Sequence, residues 1–179
     1  MTHAQSGRLP MRVQPLGPPD SHHLDAAVGW LGLGCAAEAR TELDLISKLR
    51  QKHPAVLEAR WTICAQEKRW AEALDIAQAE LTVAPDDCAG WLHRAYALRR
   101  VPDGGLRQAW EALLPAVEKF PREPVIAYNL SCYACQLQQP SVARRWLRQA
   151  MKAGDREAIR QMALADDDLQ PLWTEIREL

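Results

Sequence analysis

The residues most able to do chemistry in this chain form the segment Cys132-Tyr133-Ala134-Cys135. Two cysteines at this spacing support thiol redox exchange at a helix terminus, and they supply half of a zinc site when a second ligand pair is near. Here the segment falls inside a predicted helix that no strand precedes, and no second pair stands at a suitable spacing. We therefore expect structural thiols, and a metal-binding or redox role for Cys132 and Cys135 stays as an alternative hypothesis.

The other reactive side chains lack sequence partners. His22, His23 and His93 accompany no catalytic Cys, Ser or carboxylate motif, so we expect solvated or capping groups. The acidic run from Asp166 to Asp168 lacks the alternating ligands and the glycine of a calcium loop, which favours a helix cap. The glycines at 104–105 precede no Lys-Ser pair of a phosphate loop. These patterns predict a non-enzymatic protein without cofactor or metal.

Composition narrows the class of protein further. The 179 residues carry 22 Lys and Arg against 23 Asp and Glu, and this balance argues against nucleic acid as the main partner. The cysteines number five, and an odd set in a chain long enough to fold alone predicts reduced thiols. No apolar run has the length of a signal peptide or a membrane span. We expect a cytoplasmic protein that does not act at membranes.

The elements that position these side chains are repeated helices. Four alanines recur at spacings of 34, 36 and 34 residues, namely Ala39, Ala73, Ala109 and Ala143. A second position follows four residues after each alanine, at Leu43, Ala77, Leu113 and Leu147. Residues at i and i+4 share a helix face, so each alanine marks the buried face of a helix. The preceding helices carry Ala27, Trp61, Ala95 and Ser131 at matching places, and the three small ones allow close helix packing.

Prolines mark the boundaries between these helices. Pro54, Pro124 and Pro140 stand where helices begin, a position at which proline is tolerated. The predicted helices are 21–33, 35–52, 54–67, 70–83, 87–100, 105–120, 124–137 and 140–152. Pro115 falls inside the sixth of them and is expected to kink it, because proline removes a backbone hydrogen bond.

The chain therefore divides into three parts. Residues 1–20 are Pro-rich without apolar periodicity and are predicted to be a disordered lead-in, in which Met1 and Met11 are both candidate starts. Four helix pairs are predicted at 21–53, 54–87, 88–123 and 124–154. Residues 155–179 are predicted to form a C-terminal helical cap, with one helix to Leu164 and another from Leu169, because the last repeat otherwise exposes its stacking face.

This repeat resembles that of the tetratricopeptide repeat (TPR) family over about residues 21–154. The resemblance is carried by Trp91 with Ala95, by Trp70-Ala71-Glu72-Ala73 with Pro85, and by Ala127-Tyr128-Asn129-Leu130 before Ala143. It implies an all-α, right-handed solenoid of about four helix pairs that binds a peptide or partner protein in a concave groove lined by the first helices. Trp61 and Glu80 replace small residues of the family pattern. A chaperone for secreted proteins, which also looks like a small repeat domain, is an alternative.

The resemblance also implies which side chains face the groove. The inward-facing positions of the family fall on Asp25, Val28, Ala59, Thr62, Gln66, His93, Tyr96, Arg100 with Arg99 beside it, Asn129, Cys132 and Gln136. A face with Arg, His, Tyr and Asn suits carboxylates and peptide amides, so we expect an acidic partner segment. Family members that clamp a C-terminal carboxylate use a lysine and two asparagines plus a basic pair on successive first helices. Here only Asn129, His93 and Arg100 resemble that set, and they occur in a different order, so a carboxylate clamp of the chaperone type is not expected.

Overall fold

The described part of the chain is residues 14–178 of a computed structural model. The candidate starts Met1 and Met11 and most of the predicted lead-in lie outside the described residues. Within them, Leu16 packs against the apolar cluster of the first three helices, and His53 Nε2 lies 3.0 Å from the carbonyl oxygen of Gln14. The last residues of the predicted lead-in therefore contact the folded domain.

Helix pairs follow one another through the described residues. They are α1 (Asp20–Gly32) with α2 (Ala36–Leu45), α3 (Pro54–Gln66) with α4 (Trp70–Val83), α5 (Ala89–Leu98) with α6 (Leu106–Leu113) and α7 (Ala116–Lys119), and α8 (Pro124–Gln136) with α9 (Pro140–Ala153). The helices of a pair pack against each other, and each second helix also contacts the first helix of the next pair. The predicted all-α architecture of stacked helix pairs is confirmed.

Small side chains bring the two helices of each pair together. The four repeated alanines, Ala39, Ala73, Ala109 and Ala143, are fully buried. Ala27, Ala95 and Ser131 on the first helices are fully buried as well. The hydroxyl of Ser131 donates a 2.9 Å hydrogen bond to the carbonyl oxygen of Ala143, so a small polar residue is satisfied inside the contact.

Two second helices are shorter than predicted. The helix predicted at 35–52 ends at Leu45, because Ile46 turns to extended backbone and Ser47 donates two hydrogen bonds to the Asp20 carboxylate. The helix predicted at 105–120 is broken rather than kinked: α6 ends at Leu113 and α7 begins at Ala116. Pro115 separates them, since it has no N–H to donate to the preceding turn.

The C-terminal segment differs most from the prediction. Helix α10 (Arg156–Leu164) forms as expected and is capped by the Asp155 side chain, which accepts a 2.9 Å bond from the Ala158 N–H. The helix predicted from Leu169 is instead a 3₁₀ helix (Asp167–Leu172) that contains Pro171, followed by the short α11 (Trp173–Arg177). The 3₁₀ helix packs mainly against α8, the first helix of the fourth pair.

The apolar core is largest at the C-terminal end of the described chain. One cluster joins α8 and α9 with Leu169, Leu172 and Ile176 of the C-terminal segment, each at most 1% exposed. A separate, smaller cluster joins α1, α2 and α3. No helix within residues 14–178 is both long enough and apolar enough to cross a lipid bilayer.

Candidate binding groove

Among the side chains predicted to line the groove, some are covered by the C-terminal segment and others stay open to solvent. Arg99 and Arg100 illustrate the division, because α5 ends at Leu98 and both arginines lie in the turn directly after it. Arg99 points to the C-terminal segment and Arg100 to the rings of Tyr96 and Trp70. The two groups have different chemistry.

The covered group binds the chain's own acidic run. Arg99 forms a two-point ion pair with Asp168, with Nη2 at 2.7 Å from Oδ1 and Nη1 bonded to Oδ2. Gln136 Nε2 donates a 2.9 Å bond to the Asp168 carbonyl oxygen. Asp166 accepts bonds from the Tyr128 hydroxyl at 2.9 Å and from Cys132 Sγ at 3.4 Å. We call the contact of Arg99, Tyr128, Cys132 and Gln136 with Asp166–Asp168 the closed end.

Burial and hydrogen bonding shift the acid–base properties of the closed end. The bond to Asp168 raises the pKa of Arg99. Burial, reinforced by the neighbouring carboxylates, raises the pKa of Cys132 well above its usual range, and burial is also the main cause of the raised pKa of Tyr128. Burial raises the pKa of Tyr133 to about 12. These hydroxyl and thiol groups are therefore neutral at physiological pH, and those of Tyr128 and Cys132 act as hydrogen-bond donors.

The same geometry bears on the alternative metal or redox hypothesis. Among the described residues, one atom each of Cys132, Asp166 and Asp168 lies close enough to the others to surround a cation. However, the Asp168 carboxylate is already held by Arg99, and a thiol with a raised pKa is a poor metal ligand and nucleophile. Cys135 is also buried, with its pKa raised by burial. The contacts favour hydrogen bonding within the chain over metal or redox chemistry.

The open group centres on Tyr96, which is 38% exposed. Its ring contacts the ring of Trp70 at 5.8 Å and that of Trp61 at 5.9 Å between centroids. The guanidinium carbon of Arg100 lies 3.5 Å from the Tyr96 centroid and 5.1 Å from that of Trp70. We call Trp70, Tyr96 and Arg100 the open patch; it presents aromatic surface beside a positive charge.

Several of the other side chains predicted to line the groove are already engaged in contacts within the chain, which makes them less available to a partner. His93 stacks on Trp61 with 3.8 Å between ring centroids, and its Nδ1 lies 2.7 Å from the buried Glu80 carboxylate. Glu80, a departure from the family pattern, thus serves as the partner of this imidazole. Thr62 and Asn129 each donate to a backbone carbonyl of their own helix. Ala59 is buried, whereas Asp25, Val28 and Gln66 are exposed.

Sequence reasoning missed the residues that complete the closed end. Tyr128 stood out only as part of a repeat motif, and the acidic run was expected to cap a helix. Asp166 does cap the 3₁₀ helix, since it accepts a 3.0 Å bond from the Asp168 N–H, but Asp166 and Asp168 also bond the groove. The sequence offered one signal for this contact. It contains a run of three acidic residues and, far from it along the chain, two consecutive arginines, Arg99 and Arg100, which could pair with that run.

Solved structures of known proteins share this architecture. The chain is similar to TTC0263, a thermophilic TPR protein of Thermus thermophilus, with a TM-score of 0.70 and 20% identity over 88% of this chain and 82% of that one. It is also similar to MamA of Desulfovibrio magneticus RS-1, residues 41 to the end, with a TM-score of 0.64 and 21% identity over 75% of each chain. The fold is that of a TPR solenoid.

The likeness lies in the fold, because the identities are low. No protein-family model matches the sequence, and no curated protein matches it either. The first helices of the pairs are α1, α3, α5 and α8. The closed end involves α8 and the turn after α5, and the open patch involves α5, the same turn and the start of α4.

Proposed function

We propose that this chain is a non-enzymatic protein-binding module whose binding surface is the concave groove along α1, α3 and α5. The observation that carries the proposal is the contrast along the groove: large side chains stay open at Tyr96 and Val28, whereas the groove at α8 is filled by the chain's own residues. Exposed aromatic and apolar side chains on a polar surface are typical of protein interfaces. A partner segment would enter beside α3 and α5 and end near Arg100.

The chemistry of the described residues supports a binding role rather than catalysis. The thiols of Cys132 and Cys135 are buried, with raised pKa values, and the ring of His93 is held between Trp61 and Glu80. An activated nucleophile needs an accessible side chain beside a base, and these groups do not offer that arrangement. The similar solved structures are TPR proteins, a fold that commonly serves as an interaction scaffold.

Site-specific photo-crosslinking tests the position of the binding surface. A photoreactive phenylalanine analogue replaces Gln66, exposed on α3, in one variant and Arg148, exposed on α9, in the matched control. After irradiation in a lysate of the native cell, we expect protein adducts at position 66 and none at position 148. Adducts only at position 148 would place the binding surface on the second helices and contradict the proposal.

A further inference from the structure

Arg100 is a half-buried charge without an acidic partner in the part of the chain that the structure describes. Its Nη1 donates a 3.0 Å bond to the Tyr96 carbonyl oxygen, and its guanidinium carbon lies over the rings of Tyr96 and Trp70. Burial lowers the pKa of this guanidinium, but arginine keeps its charge in proteins. A guanidinium has five N–H donors, so the bond to Tyr96 leaves others for a further acceptor. The group is suited to receive an anion.

The acidic residues at the neighbouring α3–α4 turn do not compete for this charge. Glu67 is bonded to Arg40 and Arg69, and Glu72 is bonded to Arg69. Their negative charges are thus balanced locally. Among the described residues no carboxylate is bonded to Arg100, and Asp168, which Arg99 holds, acts on it only through longer-range charge attraction. Charge complementarity therefore favours a negatively charged occupant.

We propose that the open patch is a subsite for a partner segment that carries a Glu or Asp side chain next to an apolar side chain. The carboxylate accepts hydrogen bonds from the edge of Arg100, and the apolar side chain packs on Trp70 and Tyr96. This inference rests on the proposed function and names the chemistry of the partner at that groove.

The chain itself contains a bound example of this chemistry. One residue before Arg100, Arg99 holds the carboxylate of Asp168 at two points, and Gln136 donates to the backbone of the same residue. The apolar side chain that follows, Leu169, is fully buried against α8. An acidic residue followed by an apolar one thus docks on the groove at Arg99, and the open patch offers an equivalent pair of features to a segment from another protein.

A binding experiment with defined peptides tests the subsite. The probes are two sets of short, acetylated and amidated fluorescent peptides: one set alternates Glu or Asp with Leu or Trp, and the matched set has Gln or Asn instead. Dissociation constants are measured with the full chain by fluorescence anisotropy. We expect the acidic set to bind at least about tenfold more tightly than the amide set, since hydrogen bonds between charged groups are the stronger ones. Added salt is expected to weaken only the acidic set.

Two variants locate the effect. Arg100→Gln is expected to weaken binding of the acidic set by about tenfold, because it removes the charge but keeps a polar side chain. Arg107→Gln, an exposed arginine on α6 in the same repeat, is expected to leave the affinity unchanged. Thermal unfolding of each variant confirms that it is folded.

The possible results separate this inference from the proposed function. If the acidic and amide sets bind with equal affinity, and Tyr96→Ala weakens the binding of both, the preference for a carboxylate is wrong, but the proposed binding surface is retained. Unchanged affinity of the acidic set on Arg100→Gln overturns the subsite, and so does failure of both sets to bind. Crosslinking at position 66 then decides the proposed function separately.

Discussion

Arg99 and Arg100 are consecutive in the chain but belong to two different regions of the groove. Arg99 is paired with Asp168 in the closed end, where the 3₁₀ helix and its buried leucines pack on α8. Arg100 stacks on aromatic rings in the open patch and has no carboxylate partner in residues 14–178. The comparison shows that an arginine side chain is held by an ion pair where the chain supplies a carboxylate, and by contacts with aromatic rings one residue later.

The largest expected effect comes from removing the segment that closes the groove. Deletion of residues 165–179 removes Leu169, Leu172 and Ile176 from the main core. Large buried side chains contribute roughly 2–5 kcal/mol each, so we expect aggregation or a fall in melting temperature of more than roughly 15 °C. Calorimetry and gel filtration measure both. Tyr96→Ala in the open patch is the control and should melt within a few degrees of the wild type; a soluble, monomeric truncation with unchanged melting would refute the closed end.

Single substitutions at the partner of Arg99 and at Arg100 itself sharpen the comparison. Asp168→Ala leaves the guanidinium of Arg99 half-buried and unpaired, and we expect a loss of about 2 kcal/mol in the free energy of unfolding. Arg100→Ala removes contacts with two rings and one hydrogen bond to the Tyr96 carbonyl oxygen but leaves no buried charge unpaired, so it should cost no more than about 1 kcal/mol. Urea denaturation of both variants supplies the values. Equal losses would mean that the two arginines have the same structural role.

Alkaline pH is expected to lower the free energy of unfolding, in part through the buried thiol of the closed end. The unfolded chain loses the Cys132 proton near pH 9, whereas the folded chain keeps it because the pKa is raised by burial. Tyr133, with a pKa of about 12 in the folded state, behaves in the same way. Stability is therefore fully present below about pH 9 and declines above it, by roughly 1–2 kcal/mol at pH 10.

Urea midpoints measured from pH 7 to pH 10 reveal this decline. Cys132→Ala should reduce the slope without abolishing it, because this thiol no longer titrates while Tyr133 still does. Cys35→Ala is the control, since this half-exposed cysteine lies in the turn before α2, far along the chain from the closed end. A slope that both variants leave unchanged would show that Cys132 is not buried as described.

The smallest expected effect concerns an exposed ion pair with similar geometry. Arg160 binds Glu157 at two points, at 2.9 and 2.7 Å, on the surface of α10. We expect Glu157→Gln to leave the urea midpoint at neutral pH unchanged, because exposed ion pairs contribute little. Arg160 holds the pKa of Glu157 at about 2, so any contribution is lost only as the pH falls from about 4.5 toward 2. A loss as large as that of Asp168→Ala would show that burial does not distinguish the two pairs.

The repeat itself could be predicted from the sequence because it depends on local spacing. Ala39, Ala73, Ala109 and Ala143 mark the same buried position in each pair, and the structure buries all four. The closed end could not be predicted in this way. Asp168 and Arg99 are separated by 69 positions in the sequence. The repeat spacing predicts contacts between helices of neighbouring pairs, but it does not predict that the C-terminal acidic run binds this arginine.

The side-chain contacts of the predicted groove residues also could not be predicted from the repeat pattern. His93 was expected to face a partner, but its ring lies on Trp61 and bonds Glu80, two residues that the sequence marked only as departures from the repeat. A large ring and a buried carboxylate at normally small positions create a site for an imidazole. Departures from a repeat therefore carry information about its surface.

Hydrogen–deuterium exchange of the backbone amides of Asp168 and Leu169 tests the central claim most directly, namely that the chain closes its own groove at α8. The Asp168 N–H donates to the Asp166 side chain and the Leu169 N–H to the Asp166 carbonyl oxygen, each at 3.0 Å, beneath buried contacts with α8. The account predicts that both amides exchange as slowly as those in the middle of α8, through opening of the whole C-terminal core. Exchange as fast as in an unfolded chain would contradict the account and leave the groove open along its full length.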